Sequence, residues 1–229
     1  MGAEASGKSF EFIDKWNGVR WTTTRLPNFG RSWYQPEDVS CPSVRHCVVI
    51  ASTSGHRPFS LTFSSGKWTT HRIRVFKSGT LPLTLACVSI RWCEITAYGD
   101  YDGSSQGIME HWNGAQWTMQ HDAFIGADDS MDGLMCRSTS WCMAVGSDGT
   151  NTEFHSISEQ FDGVHWHALS VPWSKSTPPS RRPELSTVDC PTATYCFAMG
   201  HHGDFEHPVA DAYTWDGSAW TRIPVLVGS

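Results

Sequence analysis

Hydrophobic residues along this chain fall in short runs separated by polar turns that are rich in Gly, Asn, Asp and Ser. Residues 132–170 show the pattern: one run ends in GLMC at Cys136, the next begins CMAVG at Cys142, a third ends in EQF at Phe161, and a fourth reads VHWHAL. Such runs, bounded by such turns, predict β-strands, which we call A, B, C and D. No segment has the apolar spacing of an amphipathic helix of about ten residues or more.

The same four runs recur along the chain and are marked by two fixed spacings. The eight cysteines form four C-x5-C pairs, at Cys41/Cys47, Cys87/Cys93, Cys136/Cys142 and Cys190/Cys196. Aromatic residues five apart follow each cysteine pair, and one such pair precedes them all: Trp16/Trp21, Phe63/Trp68, Trp112/Trp117, Phe161/Trp166 and Trp215/Trp220. A unit of roughly fifty residues is therefore repeated four times in full and once in part.

The turn between strands C and D carries Asn-Gly or Asp-Gly in four of the five units. These dipeptides are typical of two-residue type I′ hairpins, in which both central residues have positive φ. Such a hairpin at Asn17-Gly18 would put Trp16 opposite Val19, with Trp21 two residues further along the same face. The sequence FSSGKW of the first full unit has its glycine one place later and predicts a looser turn.

Four-stranded meanders repeated around an axis are the blades of a propeller, and aromatic pairs then fill the space between neighbouring sheets. We therefore expect an all-β fold, a small β-propeller of four-stranded antiparallel blades. Five aromatic turns favour five blades with one abbreviated; four blades plus an extra hairpin, or a piece of a longer chain, are the alternatives. The predicted single domain covers 9–225, after a disordered or added tail at 1–8, with a partial unit at 9–27 and full units at 37–73, 83–121, 132–172 and 185–224.

Charge and hydropathy exclude two classes of partner. The formal net charge of -6 offers no basic surface for nucleic acid or for an anionic membrane. No apolar run reaches the length of about eighteen residues that a membrane span requires, so we expect no membrane insertion. We also expect no cofactor.

The evenly paired cysteines predict four disulfides, each joining strand A to strand B across a short hairpin. Reduced thiols and zinc are the alternatives, although zinc ligands converge in closely spaced sets and these pairs lie on separate repeats. Disulfides indicate a secreted or otherwise extracytoplasmic protein. Because the start MGAEASGKSF lacks the apolar core of a signal peptide, we expect the natural precursor to carry one.

The repeat resembles patterns in known proteins. V-x-C-P-x4-C, a run of small residues such as AVG, and W-[ND]-G-x2-W together resemble repeats of uncharacterised, often exported actinobacterial proteins, over nearly the whole chain. The unit has a looser likeness to five-bladed lectins of the tachylectin-2 kind, whose repeats of similar length also carry a W-D-G turn. The resemblance implies a β-propeller and implies no catalytic residue.

Function is expected on the face that carries the B-to-C loops and the D-to-A connections, because these segments differ between units. Flat aromatic rings beside charged and hydrogen-bonding groups suit a sugar. Trp33, Tyr34 and Trp173 lie outside the regular aromatic pairs and are expected to have no role in the core. The predicted ligand-binding residues are Trp33, Tyr34, His56, Arg57, Tyr101, His155, Trp173 and His202.

Carboxylates and histidines in the same loops are candidates for acid–base catalysis. They are Asp100, Asp102, His201, Asp204 and Glu206. Asp100 and Asp102 have the oxygen spacing of a calcium loop, and His201 and His207 are weak zinc candidates; solvated turns are the other interpretation. No G-x-S-x-G, H-E-x-x-H or P-loop motif is present.

These observations predict a ligand-binding β-propeller with one asymmetric site for a small molecule or glycan, carbohydrate being the favoured class. A cofactor-poor hydrolase or lyase, with a carboxylate/histidine pair in the same pocket, is the first alternative. A structural or protein-interaction module is the second.

Overall fold

The computed structural model describes residues 11–27, 34–53, 57–73, 81–101, 104–120, 129–150, 153–173, 184–203 and 207–225. Regular secondary structure in these ranges is β-strand, arranged as one two-stranded sheet and four four-stranded sheets. No helix in them is long and apolar enough to cross a membrane. We call the two-stranded sheet the hairpin and the others blades 1 to 4, in chain order.

Each blade contains its strands A to D in the order of the chain. The hairpin consists of β1 (Phe12–Trp16) and β2 (Trp21–Arg25); blade 1 of β3 (Tyr34–Ser43), β4 (His46–Thr53), β5 (Pro58–Ser64) and β6 (Lys67–Arg72); blade 2 of β7 (Leu81–Ser89), β8 (Trp92–Tyr101), β9 (Ser104–Trp112) and β10 (Trp117–Gln120); blade 3 of β11 (Asp129–Ser138), β12 (Trp141–Thr150), β13 (Glu153–Phe161) and β14 (Trp166–Leu169); and blade 4 of β15 (Glu184–Thr192), β16 (Tyr195–His202), β17 (Val209–Trp215) and β18 (Trp220–Ile223).

The blades are antiparallel meanders in which every strand pairs with its neighbours along the chain. Strands A lie innermost: β3 contacts β7, β7 contacts β11, and β11 contacts β15. The hairpin corresponds to strands C and D, because β1 and β2 hold the fifth aromatic pair. The predicted all-β propeller, with five blades of which one is abbreviated, is confirmed. Strand A of each complete blade begins one to three residues before the predicted unit.

Successive blades pack face to face. One face of each blade, the front face, carries the disulfide and the aromatic pair, and the opposite face is the back face. Ile95, Trp112 and Trp117 on the front of blade 2 pack against Val48 and Ile50 on the back of blade 1. The front of blade 3 meets the back of blade 2, and the front of blade 4 meets the back of blade 3, in the same way.

Indole N–H groups of strand D tie blades 2, 3 and 4 each to the blade before it. Trp117 Nε1 donates to Ser60 Oγ of blade 1 at 2.9 Å, and Trp220 Nε1 donates to Ser158 Oγ of blade 3 at 3.1 Å. The indole of Trp166 donates to a glutamine side-chain oxygen of β10 at 2.9 Å. Because a buried indole N–H needs an acceptor, these bonds fix the register of neighbouring blades.

The inner edge of strand A is covered by side chains of the preceding blade. The backbone N–H of Leu85 donates to Asp38 Oδ2 at 2.8 Å, and that of Cys87 donates to Ser40 Oγ at 3.0 Å. Burial raises the pKa of Asp38, although the backbone hydrogen bonds from Leu85 and Val39 oppose the shift. These bonds satisfy groups that a free sheet edge would leave unpaired.

The C-to-D turns differ from the prediction. Trp16 pairs directly with Trp21, so four residues connect the strands, and the aromatic pairs of blades 2, 3 and 4 are paired in the same way. The expected position of Trp16 opposite Val19 is wrong. Gly18 alone has positive φ, at 94°, and Asn17 Oδ1 accepts the backbone N–H groups of Val19 and Arg20 at 3.0 and 2.9 Å. The asparagine is therefore favoured as a local hydrogen-bond acceptor.

Blade 1 contains the two-residue turn instead. Ser65 and Gly66 both have positive φ, at 51° and 78°, and Ser64 pairs with Lys67 across them. These are the conformations that a type I′ turn requires. The expectation of a looser turn in FSSGKW is therefore wrong.

The C-to-D turn lies against the A-to-B turn of the same blade. A Cβ atom added at Gly163 would lie 2.9 Å from the side chain of Ser140, and one at Gly217 would lie 3.2 Å from that of Thr194. Both turns therefore share one end of the blade, the turn end, as predicted. The B-to-C loops and D-to-A connections are at the opposite end, which we call the loop end.

All eight cysteines are paired within their own blade, as predicted. The bridges are Cys41–Cys47, Cys87–Cys93, Cys136–Cys142 and Cys190–Cys196. Each joins the end of strand A to the start of strand B, with the two Cα atoms 4.0 Å apart. Disulfides of this kind are typical of proteins in oxidising compartments.

Glu94 is a charged residue at an apolar position on the back face of blade 2. The corresponding residues of the other blades are Val48, Met143 and Phe197. Glu94 is 0% exposed, and its Oε1 is hydrogen bonded to His111 Nδ1 at 2.8 Å. Burial raises the pKa of Glu94 to about 7, and the hydrogen bond to His111 opposes the rise only in part.

Stability is expected to fall as the pH rises through this range. Since the ordinary pKa of glutamate is 4.5, the folded chain holds a proton between about pH 4.5 and 7 that the unfolded chain has lost. Relative to Glu94→Gln, the unchanged protein should lose up to about 3 kcal/mol of unfolding free energy across this window. Urea denaturation of both proteins at pH 5 and pH 8 measures the difference. A difference that stays constant with pH would contradict the assignment.

Candidate functional site

A buried carboxylate holds a histidine and an arginine at the loop end of blade 4. Asp211 Oδ1 accepts a hydrogen bond from Arg222 Nε at 2.6 Å and also pairs with Arg222 Nη2. Asp211 Oδ2 is hydrogen bonded to His202 Nδ1. The side chain of Asp211 is 1% exposed, whereas those of His202 and Arg222 are 23% and 47% exposed. We call these three residues the Asp211 cluster.

Strand register brings the Asp211 cluster together. Asp211 of β17 pairs with Gly200 of β16, two residues before His202, and Arg222 of β18 pairs with Tyr213. Because side chains alternate along a strand, all members of the cluster project from the front face of blade 4. They are therefore directed toward the side of blade 3.

Tyr213 lies two residues from Asp211 on the same face. Its side chain is fully buried, and within the described ranges its hydroxyl has no hydrogen-bond partner. Burial raises the pKa of Tyr213 to about 12, and the negative charge of Asp211 adds to the rise. The hydroxyl therefore stays protonated at neutral pH.

A cavity of about 360 Å³ opens beside the cluster. Asp211 and Arg222 line it together with apolar residues of β17 and of the chain after β18, among them Val209, Ile223 and Pro224. Small-molecule sites commonly have volumes of this order and combine apolar walls with a few fixed polar groups.

The geometry of the cluster defines what it can do chemically. A carboxylate bonded to Nδ1 favours the imidazole tautomer in which Nε2 of His202 carries a lone pair. Nε2 can then accept a hydrogen bond or a proton from a ligand, while the guanidinium of Arg222 presents further N–H donors. Such a set can bind hydroxyl groups or take part in acid–base chemistry.

A second group of side chains lies at the loop end of blade 3. The rings of His155 and Trp173 meet edge to face, with their centroids 5.3 Å apart. His155 pairs in register with Asp148, and Asp148 pairs with Asp129. Asp129 is 3% exposed and accepts the backbone N–H of Gly107 at 2.9 Å. Two of the predicted ligand-binding residues, His155 and Trp173, are thus brought into contact.

Tyr34 has a core role, contrary to expectation. It is 1% exposed, packs edge to face on Phe59 with centroids 5.3 Å apart, and donates its hydroxyl to the backbone oxygen of Pro27 at 2.9 Å. A side chain enclosed in this way has no surface with which to meet a ligand.

The other predicted residues are dispersed. Trp33, His56, Asp102, Asp204 and Glu206 lie outside the described residues. Asp100 and Tyr101 form the end of β8. Arg57, His201 and His207 are exposed at the loop end, and His201 points away from the Asp211 cluster because it is adjacent to His202 on the same strand.

Neither metal hypothesis gains support from the described ranges. They contain no group of three or more His, Cys, Asp or Glu side chains placed to hold an ion. One calcium candidate, Asp102, lies outside those ranges.

Asp211 and Arg222 are absent from the residues predicted above, although the repeat contains a signal for them. Asp211 occupies the strand C position held by Phe59, Ile108 and Ile157 in blades 1 to 3. A carboxylate at a position that is otherwise apolar marks a local departure from the scaffold.

No family model and no curated protein matches this sequence. Solved structures match it in fold. An α-L-arabinanase from Penicillium chrysogenum, complexed with arabinobiose, is 13% identical with a TM-score of 0.57, over 97% of this chain and 75% of its own. YCF48 bound to D1 peptide is 11% identical with a TM-score of 0.52, over 94% of this chain and 74% of its own.

A fucose-specific lectin from Aleuria aurantia has a TM-score of 0.48 at 10% identity, over 84% of this chain and 61% of its own. At such identities the similarity shows the fold alone. This chain has the fold of the β-propeller proteins. The resemblance to actinobacterial repeat proteins stays a prediction.

The contact between Asp211 and His202 predicts a tautomer. Neutral His202 should carry its proton on Nδ1, because the carboxylate accepts it there. Long-range ¹H–¹⁵N NMR of the labelled protein at pH 8 would show this state, and Asp211→Ala should remove the preference. A proton found on Nε2 in the unchanged protein would contradict the contact between His202 Nδ1 and Asp211.

Proposed function

We propose that this chain is a carbohydrate-binding β-propeller whose site lies at the loop end of blades 3 and 4. The observation that carries the proposal is the Asp211 cluster, in which a carboxylate 1% exposed holds His202 and Arg222. Asp211 and Arg222 line a cavity of about 360 Å³. Polar groups that are fixed before a ligand arrives lose little freedom on binding, and this favours affinity.

Arg222 and His202 would supply the hydrogen bonds to sugar hydroxyl groups. The guanidinium of Arg222 is bonded to Asp211 on one side, and 47% of its side chain remains exposed. His202 Nε2 would accept from a hydroxyl, so that the pair provides a donor and an acceptor at fixed positions. Sugars, which carry both functions on each hydroxyl, fit such a pair.

Trp173 would supply the apolar ring face. Its indole is half-buried and is held from the side by His155. Val171, two residues earlier, packs in the same apolar cluster as Tyr213, between blades 3 and 4. The connection that carries Trp173 thus leaves blade 3 beside its interface with blade 4, while His155 projects from the front face of blade 3, toward blade 2.

The comparisons and the disulfides are in line with this proposal. One fold neighbour is an arabinanase solved with arabinobiose. The four disulfides accord with an exported protein, which would meet extracellular glycans.

A glycan array followed by calorimetry with the strongest ligand tests the proposal. Arg222→Lys, which keeps the charge but loses the planar fork, and Trp173→Ala should each weaken binding about tenfold or more. Arg91→Lys, an exposed arginine at the turn end of blade 2, is the matched control and should change nothing. The absence of any glycan ligand, or equal losses in the control, would overturn the proposal.

A hydrolase or lyase is the second candidate, and the contact between His202 and Asp211 favours it. A histidine oriented by a carboxylate is a common general base. Chromatography of the bound glycan after incubation separates the two functions, because cleavage that is lost in His202→Gln would identify an enzyme. Binding without any product would identify a binding protein.

A further inference from the structure

The hairpin leaves its aromatic pair uncovered. Trp16 and Trp21 are 49% and 66% exposed. The six corresponding aromatic residues of blades 2, 3 and 4 are between 1% and 4% exposed, because each pair is packed on the back face of the preceding blade. The front face of the hairpin therefore lacks the neighbour that every equivalent face in those blades possesses.

The back face of blade 4 is open in a matching way. Met199 is 40% exposed, whereas Ile50 and Val145, at the same position in blades 1 and 3, are 0% exposed. Blade 4, the last sheet along the chain, thus has an uncovered back face, and the hairpin, the first sheet, has an uncovered front face. These are the two kinds of surface that pack together at every interface between the blades.

Within the part of the chain that the structure describes, the hairpin also has an unpaired strand edge. In the complete blades strand C pairs with strand B on one side and strand D on the other. Among the described residues β1 pairs with β2 alone, over Phe12–Trp16. The backbone groups on its other edge are available to a further strand, and such edges are known sites of strand addition.

We propose that the hairpin is an acceptor half-blade, which a partner polypeptide completes by docking a cystine-closed β-hairpin as strands A and B. The complete blades indicate what this occupant is. In all four of them, strand C is followed toward the inside by strand B and then strand A, and a C-x5-C disulfide joins A to B. The docked strand A would continue the inner row formed by β3, β7, β11 and β15.

Strand register specifies the chemistry of the partner. The second cysteine of each bridge pairs with the first aromatic residue of strand C, as Cys196 does with Trp215. Four residues later strand B has only Ala or Gly, at Ala51, Ala97, Gly146 and Gly200. The docking strand should accordingly place a cysteine opposite Trp16 and an alanine or glycine opposite Phe12.

Close packing explains the small residue. A Cβ atom at Gly146 or at Gly200 would lie 1.8 Å from a backbone oxygen of strand A. A larger residue at the matching position of the partner would push its own two strands apart. The acceptor is therefore selective for hairpins of this repeat class over extended peptides in general.

The probe for this proposal is an oxidised synthetic peptide with the sequence of residues 184–203, which forms strands A and B of blade 4. Calorimetry against the whole chain should give a dissociation constant of about 100 μM or tighter. Trp16→Ala and Trp21→Ala should each weaken binding about tenfold. Val164→Ala, at an exposed position of blade 3 equivalent to Val19, is the control and should bind as the unchanged chain does.

Two changes in the peptide test its register. Gly200→Val and the reduced, alkylated form should both bind at least about tenfold more weakly than the oxidised parent. Equal binding by these forms, or by the Trp16 and Trp21 variants, would place the contact elsewhere and overturn the proposal. The thermal midpoints of the variants should match that of the unchanged chain, since both tryptophans are largely exposed.

The oligomeric state tests whether a second copy of this chain covers the front face of the hairpin instead. Sedimentation should show that the chain without peptide is a monomer. A dimer that is lost in Trp21→Ala would mean that a second copy covers the face, and the proposal would be wrong. A monomer that binds no peptide would equally overturn it.

Discussion

The packing of each aromatic pair against the back of the preceding sheet is the interaction on which the rest of this molecule depends. A single four-stranded sheet cannot bury both of its faces, so each blade completes its core only with a neighbour. Trp117, which is 1% exposed, and Trp220 both cross such an interface and donate their indole N–H to a serine of the earlier blade. Apolar burial and hydrogen-bond register thus act at one place, and stability is spread over the interfaces.

Charged residues at apolar positions of this scaffold have two different consequences. Glu94 is enclosed between two blades with one partner, His111, and its negative charge is disfavoured by burial. Asp211 is equally buried, but Arg222 and His202 occupy both of its oxygens, and Arg222 lines a cavity. The first arrangement is expected to make the interface between blades 2 and 3 respond to pH. The second holds a histidine and an arginine in fixed positions at the loop end of blade 4.

The repeat could be predicted from sequence because its marks are local: cysteines six positions apart, and aromatic residues five apart around one turn. The geometry of that turn could not be predicted, because Asn-Gly suits two kinds of turn. It is typical of a type I′ turn, but here the side chain of Asn17 accepts backbone hydrogen bonds in a four-residue turn. Tyr34 was open to misassignment because its burial depends on Pro27 and Phe59, in other segments. The residues of the Asp211 cluster lie on three strands and are brought together by strand register. The sequence-based prediction looked for a site in the variable loops and therefore did not include Asp211 and Arg222.

The disulfides have a consequence for biosynthesis. Eight cysteines allow about 105 different pairings, and most would link the wrong segments. Here every cysteine has its partner six positions away, within one hairpin. Each bridge can close as soon as its own strands have emerged from a ribosome or translocon, before the next repeat exists. A gain or loss of a whole repeat during evolution would also leave the remaining bridges unscrambled.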